Sequence, residues 1–225
     1  MDLAQFAATC GGKGGVMPSI YGLKRQFQSL LRPVTRSIAR RGISANQVTV
    51  AAMLSSFVVG GSIILFPQAR WPLLIVPGFL FIRMALNAID GMLAREHDMK
   101  SDLGMVLNEV GDVLADAALY LPFALTPGIR SDLVVTLVVL AVTSELAGVV
   151  AVQICGERRY DGPMGKSDRA FFFGSLSLLM ACDVTAGVWT SILLGLVIVL
   201  LAMTVINRTR HALATANASL PTESL

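Results

Sequence analysis

Hydrophobic residues run along this chain in six long blocks, separated by short segments rich in charge and in turn-forming residues. The blocks cover residues 48–66, 71–93, 103–125, 133–153, 170–183 and 186–206, of which the fifth is the shortest. A helix needs about 20 apolar residues to cross a bilayer, and backbone polar groups in lipid must be paired internally. The pattern therefore predicts an all-α membrane protein with six transmembrane helices.

Composition supports this prediction and divides the chain into three parts. Hydrophobic residues make up 54% of the chain and charged residues 15%, against about 45–50% and about 25% in soluble domains. We expect a basic N-terminal juxtamembrane arm at 1–42, a membrane domain at 43–210 and a disordered polar tail at 211–225. The arm is partly amphipathic; it either lies on an anionic leaflet or merely fixes the topology.

The distribution of positive charge predicts the orientation. Fifteen of the 18 Lys and Arg residues fall on one side of the predicted membrane, Arg70 and Arg130 fall on the other, and Arg83 lies inside a span. By the positive-inside rule both termini are cytoplasmic, and an even number of spans agrees. We expect a multi-pass protein of the bacterial inner membrane with no nucleic-acid partner.

Six ionisable residues fall inside the predicted spans, where charge is costly and usually marks a functional site. They are Arg83, Asp90, Glu109, Asp112, Asp116 and Glu145. The alternative is a buried ion-pair network that only fixes helix packing. Because five acids cannot be neutralised by one base, we expect a cation from outside the chain.

Helical geometry gathers these groups onto two facing surfaces. The second span presents Arg83, Asn87, Asp90 and Ala94 on one face, and the third presents Asn108, Glu109, Asp112 and Asp116. A short cytoplasmic turn joins these spans, so they run antiparallel. Asp90 and Asn87 then lie near the depth of Asn108 and Asp112, and Arg83 lies about 10 Å deeper than Asp90. We expect Arg83 to pair with Asp116 or, failing that, with Glu145.

The remaining cluster consists of oxygen donors. Its predicted metal ligands are Asp90, Asp112, Asn87, Asn108 and Glu109. Mg²⁺ and Mn²⁺ prefer such ligands, and Mg²⁺ commonly bridges to substrate phosphates. The predicted spans contain no His, which argues against zinc. The cluster lies near the cytoplasmic end, within reach of both a nucleotide and a lipid.

The stretch NAIDGMLAREHDMKSDLGMVLNEVGD at 87–112 resembles the signature of the CDP-alcohol phosphotransferase family, D-x2-D-G-x2-A-R-x8-G-x3-D-x3-D. ISANQVT at 43–49 is similar to the Pro-Asn-x-x-Thr start of that family's first span, with Ala45 in place of proline. GKSDR at 165–169 is similar to the start of its fifth span. The likeness covers roughly residues 40–206, and the family's six-helix fold matches the span count.

The resemblance implies transfer of a substituted phosphate from a CDP-linked lipid, typically CDP-diacylglycerol, to an alcohol with release of CMP, as in phospholipid biosynthesis. By matching position, Asp90 would bind Mg²⁺ or Mn²⁺, and Asp112 would bind metal and act as general base for the attacking hydroxyl. Donor-binding residues would be Gly91, Ala94, Arg95, Gly104, Lys166, Asn46 and Thr49. The family likeness also suggests a homodimer.

The sequence departs from the family signature at two positions. Asn87 and Asn108 stand where the family has aspartates that bridge its two metal ions. An amide oxygen can still bind Mg²⁺ but adds no charge, and Glu109 and Asp116 lie on the right face to compensate in part. The favoured interpretation is a single-metal or rewired phosphatidyltransferase. The rival is a non-catalytic CDP-lipid-binding protein.

Two further questions stay open at the level of sequence. A small ion or solute transporter would also explain buried charges, but it does not explain the fixed spacing from Asp90 to Asp112. The acceptor alcohol is not encoded in any motif. A phosphorylated acceptor would need additional cations near the site, which Arg158, Arg159 and Arg169 can supply, although setting topology is the commoner role of such residues.

Overall fold

The computed structural model describes the backbone of residues 20–156 and 158–219, and the side chains of 26–156 and 158–218. Its described part contains seven α-helices and no strand. They are α1 Ile20–Arg40, α2 Ala45–Leu65, α3 Arg70–Glu96, α4 Asp102–Tyr120, α5 Ser131–Cys155, α6 Lys166–Ala181 and α7 Val188–Ser219. A 3-10 turn, Leu121–Leu125, extends α4. Helices α2 to α7 coincide with the six hydrophobic blocks, so the all-helical fold is confirmed.

Four of these helices, α2, α3, α5 and α7, are long and apolar enough to cross a membrane. Helix α4 differs because it carries the polar residues of the predicted site, and α6 differs because it has only 16 residues. A membrane crossing by α4 and α6 therefore stays a prediction. The polar residues that lower the hydropathy of α4 are those expected of a helix that lines a polar site.

The outward surfaces of the four apolar helices are covered with large hydrophobic side chains. Examples are Phe57 and Val58 on α2, Phe81 on α3, Val139 and Leu146 on α5, and Ile192, Leu196 and Val199 on α7, all exposed. Such continuous apolar surface is not stable in water and is typical of contact with lipid. The four helices therefore present a lipid-facing belt.

Local capping fixes where the helices around the predicted site begin. Ser44 starts α2 with a capping box: its hydroxyl accepts from the Gln47 amide at 3.3 Å, and the Gln47 side chain accepts from the Ser44 amide at 2.9 Å. Ser101 starts α4 and accepts from the Gly104 amide at 3.0 Å. Both caps lie at the same end of the molecule, because Asn46 in the first turn of α2 donates to the Ser101 hydroxyl at 3.3 Å.

Helix α2 is the element against which the predicted site is built. It packs along both α3 and α4, while α3 also packs on α6 and α5 packs on α7. Gly60 lies at the contact of α2 with α4, where an added Cβ would overlap the Ala118 carbonyl oxygen. Because α4 packs mainly on α2 rather than on α3, long side chains connect α3 to α4.

An aromatic core closes the other half of the bundle. The rings of Tyr120 and Phe173 are stacked with centroids 4.1 Å apart, and Phe123 packs edge-on against Phe173 at 5.1 Å. All three side chains are fully buried. This packing joins the end of α4 to α6 and fixes the level of Asp116, which lies one helical turn before Tyr120 on α4.

The two ends of the chain extend the bundle. Where the structure describes it, the predicted arm is helical from Ile20 to Arg40. Arg32 on this helix pairs with Glu96 at the end of α3, at 3.4 Å. Helix α7 runs past residue 210, where the sequence predicted a disordered tail, and ends at Ser219. The reason is local: HALATANAS is rich in alanine, the best helix former, and Ala212 is buried.

Candidate active site

Arg83 and Asp116 form the deepest link between α3 and α4. Arg83 Nη1 lies 2.5 Å from Asp116 Oδ1, and both side chains are buried. The predicted pairing is thereby confirmed, as is the antiparallel register of the two helices. Arg83 Nη2 also donates to the Asp112 backbone carbonyl at 3.1 Å. The arginine thus holds the backbone of α4 at the position from which Asp112 projects.

Asp112 lies between α3, α4 and the start of α6. Its Oδ1 accepts from Asn87 Nδ2 at 3.1 Å and contacts Lys166 Nζ, while Arg83 Nη2 is 3.6 Å away. All of these contacts involve Oδ1. The predicted matching depth of residues 87 and 112 is confirmed, and within the described residues no ion pair or hydrogen bond engages the second carboxylate oxygen, Oδ2.

Asp90 projects from the same face of α3, three residues after Asn87. Its Oδ2 accepts from the Thr49 hydroxyl on α2 at 2.8 Å, and the carboxylate is buried. Asp112 and Lys166 are the charged side chains that act on it electrostatically. Thr49, predicted as a donor-binding residue, therefore orients a predicted metal ligand.

Gly91 and Gly104 allow polar side chains to approach the backbone closely. The Arg95 guanidinium lies over Gly91, 3.2 Å from where a Cβ would stand. An added Cβ on Gly104 would lie only 2.6 Å from Asn46 Oδ1, and Asn46 Nδ2 donates to Ser101 at 3.3 Å. Asn46 thus joins the start of α2 to the start of α4.

The remaining predicted site residues lie at the rim. Ala94 is half-buried, one turn beyond Asp90 on the same face of α3, and Arg95 next to it is exposed. Asn108 is also half-buried and precedes Asp112 by one helical turn. The roles of these residues stay predictions.

The charge imbalance expected from the sequence is wrong. The chain supplies its own cations: Arg169 and Arg208 are buried, and Arg158 and Lys166 reach into the same cluster. Five basic side chains therefore meet five acidic ones; they are Arg83, Arg158, Lys166, Arg169 and Arg208 against Asp90, Glu109, Asp112, Asp116 and Glu145. The ion-pair network weighed as the alternative is present beside the oxygen cluster.

Glu109 belongs to this network. Its carboxylate pairs with Arg158, which also donates to Glu145 at 3.1 Å. This contact engages Glu109 in an ion pair and leaves the more buried Asp90 and Asp112 as the carboxylates of the oxygen cluster. Arg208 was not among the predicted site residues. The signal for it was Glu145, an acid inside an apolar helix that needs a basic partner from another helix.

The donor set suits one divalent cation. Within the described ranges, no three His, Cys, Asp or Glu side chains converge to hold a metal by themselves. Asp90 and Asp112 instead offer two carboxylates, and Asn87 and Asn108 offer two neutral amide oxygens. Mg²⁺ is commonly bound by one or two carboxylates and completes its coordination with water and substrate phosphate. This donor set fits such binding, with little charge for a second ion.

Comparison with known proteins defines the class. The family model for CDP-alcohol phosphatidyltransferase matches residues 43–206. The chain belongs to the CDP-alcohol phosphatidyltransferase family. It is 43% identical over 197 residues, 87% of this chain and 96% of the relative, to the inner membrane protein YnbA of Escherichia coli. It is 30% identical over 140 residues, 60% of each chain, to the phosphatidylinositol phosphate synthase of Mycolicibacterium smegmatis.

Solved structures show the same fold. The crystal structure of Mycobacterium tuberculosis phosphatidylinositol phosphate synthase (PgsA1) with CDP-DAG bound superposes with a TM-score of 0.69 at 17% identity, covering 89% of this chain and all of that one. The same protein in complex with manganese and citrate gives a TM-score of 0.68 at 18% identity, covering 85% and 92%. The helical architecture is therefore shared despite low identity.

Proposed function

We propose that this protein transfers a phosphatidyl group from a CDP-linked lipid, CDP-diacylglycerol by preference, to an alcohol acceptor, with release of CMP. The observation that carries the proposal is the convergence of Asp90, Asn87, Asp112 and Lys166 at one end of the bundle. Membership of the family supports it. So does the CDP-DAG bound to the protein of the same fold from M. tuberculosis.

The reaction exchanges one phosphorus–oxygen bond for another. The acceptor hydroxyl oxygen bonds to the phosphorus that carries the diacylglycerol, and the bond from that phosphorus to the oxygen of CMP breaks. CMP leaves with that oxygen and its electron pair. The hydroxyl proton passes to Asp112, which acts as general base. No oxidant or reductant is required.

Contacts around Asp112 suit this role. Asn87 and Lys166 hold Oδ1, and Arg83 fixes the backbone carbonyl of the same residue, so the carboxylate has a defined orientation. Oδ2 then serves as the proton acceptor. Lys166 also lies where it can stabilise negative charge on the diphosphate, and Arg95 provides a second cation over Gly91.

Asp90 and Asp112 would hold Mg²⁺ or Mn²⁺, with the Asn87 and Asn108 amide oxygens as further ligands. When bound, the ion would supply charge neutralisation of the diphosphate and of the departing CMP. Asp90 is oriented for this by Thr49 at 2.8 Å. Manganese in a solved structure of the same fold supports divalent metal use.

The cellular setting follows from the same features. The apolar helices and the relationship to an E. coli inner membrane protein support a place in the bacterial inner membrane. The positive-inside distribution supports cytoplasmic termini, and the site then opens to the cytoplasm. A homodimer and the limits of the arm, membrane domain and tail remain part of the proposal.

The proposal is tested with purified protein, radiolabelled CDP-diacylglycerol and a panel of alcohols. CMP release is expected only with Mg²⁺ or Mn²⁺, and Asp112→Asn is expected to lower it by at least about 10²-fold, the contribution of a general base. Asp183→Asn, at the opposite end of the bundle, is the matched control and should retain activity. Binding of CDP-lipid without CMP release under every metal and acceptor condition would favour the non-catalytic alternative.

A further inference from the structure

We infer that the acceptor is an uncharged alcohol rather than a phosphorylated one, because the arginines beside the site are already neutralised by carboxylates of the same chain. This inference rests on the proposed function and names its acceptor class. It concerns three guanidinium groups, of Arg158, Arg169 and Arg208, and the carboxylates that hold them.

Arg158 is the arginine at the rim. It follows α5 and reaches Glu109 on α4 with Nη1 and Glu145 on α5 with Nη2, the latter at 3.1 Å. Its side chain is 21% exposed and that of Glu109 is 32% exposed. A phosphate arriving from the cytoplasm would meet this pair first, and it would meet a cation that two carboxylates already hold.

Arg169 is completely buried and lies one helical turn after Lys166 on α6. Its Nη2 lies 3.0 Å from Asp116 Oδ2 and 2.9 Å from Glu145 Oε1. Its Nε and Nη1 have no hydrogen-bond partner in the part of the chain that the structure describes, and the adjoining cavity, bounded by Asp116, Tyr120 and Glu145, measures about 10 Å³. That volume accommodates about one water molecule and no phosphate group.

Arg208 completes the set from α7. Its Nη1 donates to the Ser144 carbonyl at 2.5 Å and lies 3.6 Å from Glu145 Oε1, and its side chain is 2% exposed. Glu145 therefore sits among three arginines. Removing any of them toward an incoming anion would leave this carboxylate buried without its full complement of positive charge, which is strongly unfavourable.

Arg159 differs because it has no carboxylate partner in the described part of the chain. Its guanidinium instead donates to the Thr215 hydroxyl on α7. Thr215 is seven residues beyond Arg208, about 10 Å further along the helix. Arg159 is therefore directed away from the ion-pair cluster and does not provide a phosphate site within it.

The local charge balance thus favours a neutral nucleophile. The transfer itself needs only a hydroxyl oxygen that attacks the lipid-bearing phosphorus and a base for its proton. A hydroxyl group can accept or donate hydrogen bonds at the rim without displacing Glu109 or Glu145. A phosphate dianion would compete with both carboxylates for the same guanidinium groups and repel them.

Phosphate binding tests the inference without turnover. Equilibrium dialysis with radiolabelled inorganic phosphate, in detergent and EDTA, compares the wild type with Glu109→Gln, Arg158→Ala and Glu96→Gln. Glu109→Gln removes the negative charge held by Arg158 Nη1 and leaves only Glu145 on Nη2, so it should bind phosphate about tenfold more tightly than the wild type, since half of the guanidinium becomes available to an anion. Glu96→Gln removes the carboxylate of an exposed pair, whose Arg32 guanidinium is already in contact with solvent, and is the matched control, expected to bind as the wild type does. Size-exclusion profiles verify that each variant is folded.

Two results of the dialysis would overturn the inference. One is a loss of wild-type phosphate binding in Arg158→Ala, which would show that the arginine already serves an anion. The other is an unchanged phosphate affinity in Glu109→Gln. A larger affinity in Glu109→Gln together with an unaffected Arg158→Ala supports it.

Turnover supplies the second readout. CMP release is measured with matched acceptor pairs, glycerol against glycerol phosphate and inositol against inositol phosphate. The uncharged member of at least one pair should give a kcat/KM about tenfold higher or more, and a preference for the phosphorylated members would overturn the inference. If no acceptor releases CMP, the proposed function fails, and the dialysis alone decides whether Arg158 is available to bind an anion.

Discussion

Arg83 on α3 and Asp116 on α4 are joined by a buried ion pair of 2.5 Å, across two helices that otherwise pack against α2. The same arginine holds the backbone carbonyl of Asp112, four residues earlier on α4. One interaction therefore sets both the spacing of the two helices and the orientation of the proposed general base. Loss of the pair would therefore affect both helix packing and the proposed proton transfer.

Breaking this pair should destabilise the fold severely. Asp116→Asn leaves Arg83 and Arg169 without their shared carboxylate, and removal of one partner from a buried ion pair typically costs about 3–5 kcal/mol. Thermal unfolding in detergent, followed by tryptophan fluorescence, measures the effect. Asp132→Asn breaks an exposed pair with Arg130 and should leave the unfolding temperature unchanged. Equal unfolding temperatures for both variants would contradict the central position of the Arg83 pair.

The contact between α2 and α4 gives a second prediction, from two adjacent glycines. Gly60→Ala places a methyl group against the Ala118 carbonyl and should destabilise by about 1–3 kcal/mol, the usual cost of overpacking. Gly61→Ala meets no atom within 4 Å and should be neutral or stabilising, because Ala favours helices over Gly. Unfolding temperatures of the two variants decide the matter; a Gly61→Ala loss as large as that of Gly60→Ala would refute the assigned packing.

Hydrophobic periodicity and charge together predicted much of this molecule. The six helices, the antiparallel register of α3 and α4, and the Arg83–Asp116 pair follow from segment length and from the depth of each residue along a helix. Those are one-dimensional properties that a sequence expresses directly. The motif spacing likewise placed Asn87 opposite Asp112, where their side chains meet at 3.1 Å.

What the sequence did not predict depends on contacts between distant helices. Arg169 and Arg208 were counted among the positive charges outside the membrane because they lie just beyond the ends of hydrophobic blocks. Both are buried, since an arginine stem is long enough to bring its guanidinium back to Glu145 from another helix. The expected excess of acid disappeared for that reason. The ion pair of Glu109 could not be predicted either, because its partner, Arg158, lies 49 residues away in sequence.

The two motif asparagines lead to a prediction about metal count. With only Asp90 and Asp112 contributing charge, the wild type should bind one Mn²⁺ per chain. Asn87→Asp combined with Asn108→Asp restores two carboxylates and should raise the number to two, as counted by electron paramagnetic resonance at saturating Mn²⁺. Gln68→Glu, which adds a carboxylate in the loop before α3, is the control and should stay at one. Two ions in the wild type would disprove the single-metal proposal.

Orientation in the membrane is testable through Cys182, which is exposed after α6. With Cys10 and Cys155 changed to Ser, Cys182 should react with a membrane-impermeant maleimide in right-side-out vesicles. Lys100→Cys in a chain lacking all three native cysteines should react only in inverted vesicles, because the loop between α3 and α4 is predicted to be cytoplasmic. The reverse labelling pattern would contradict the proposed topology and indicate the opposite orientation.

The central claim is that oxygens of α3 and α4 hold a divalent cation against the diphosphate of a CDP-lipid. The most direct measurement is anomalous diffraction from a crystal soaked with Mn²⁺ and CDP-diacylglycerol. We predict one anomalous peak bound by Asp90 and Asp112, with Lys166 moved from Asp112 to a phosphate oxygen. A bound lipid with Lys166 still on Asp112, and no peak between the two carboxylates, would contradict the claim.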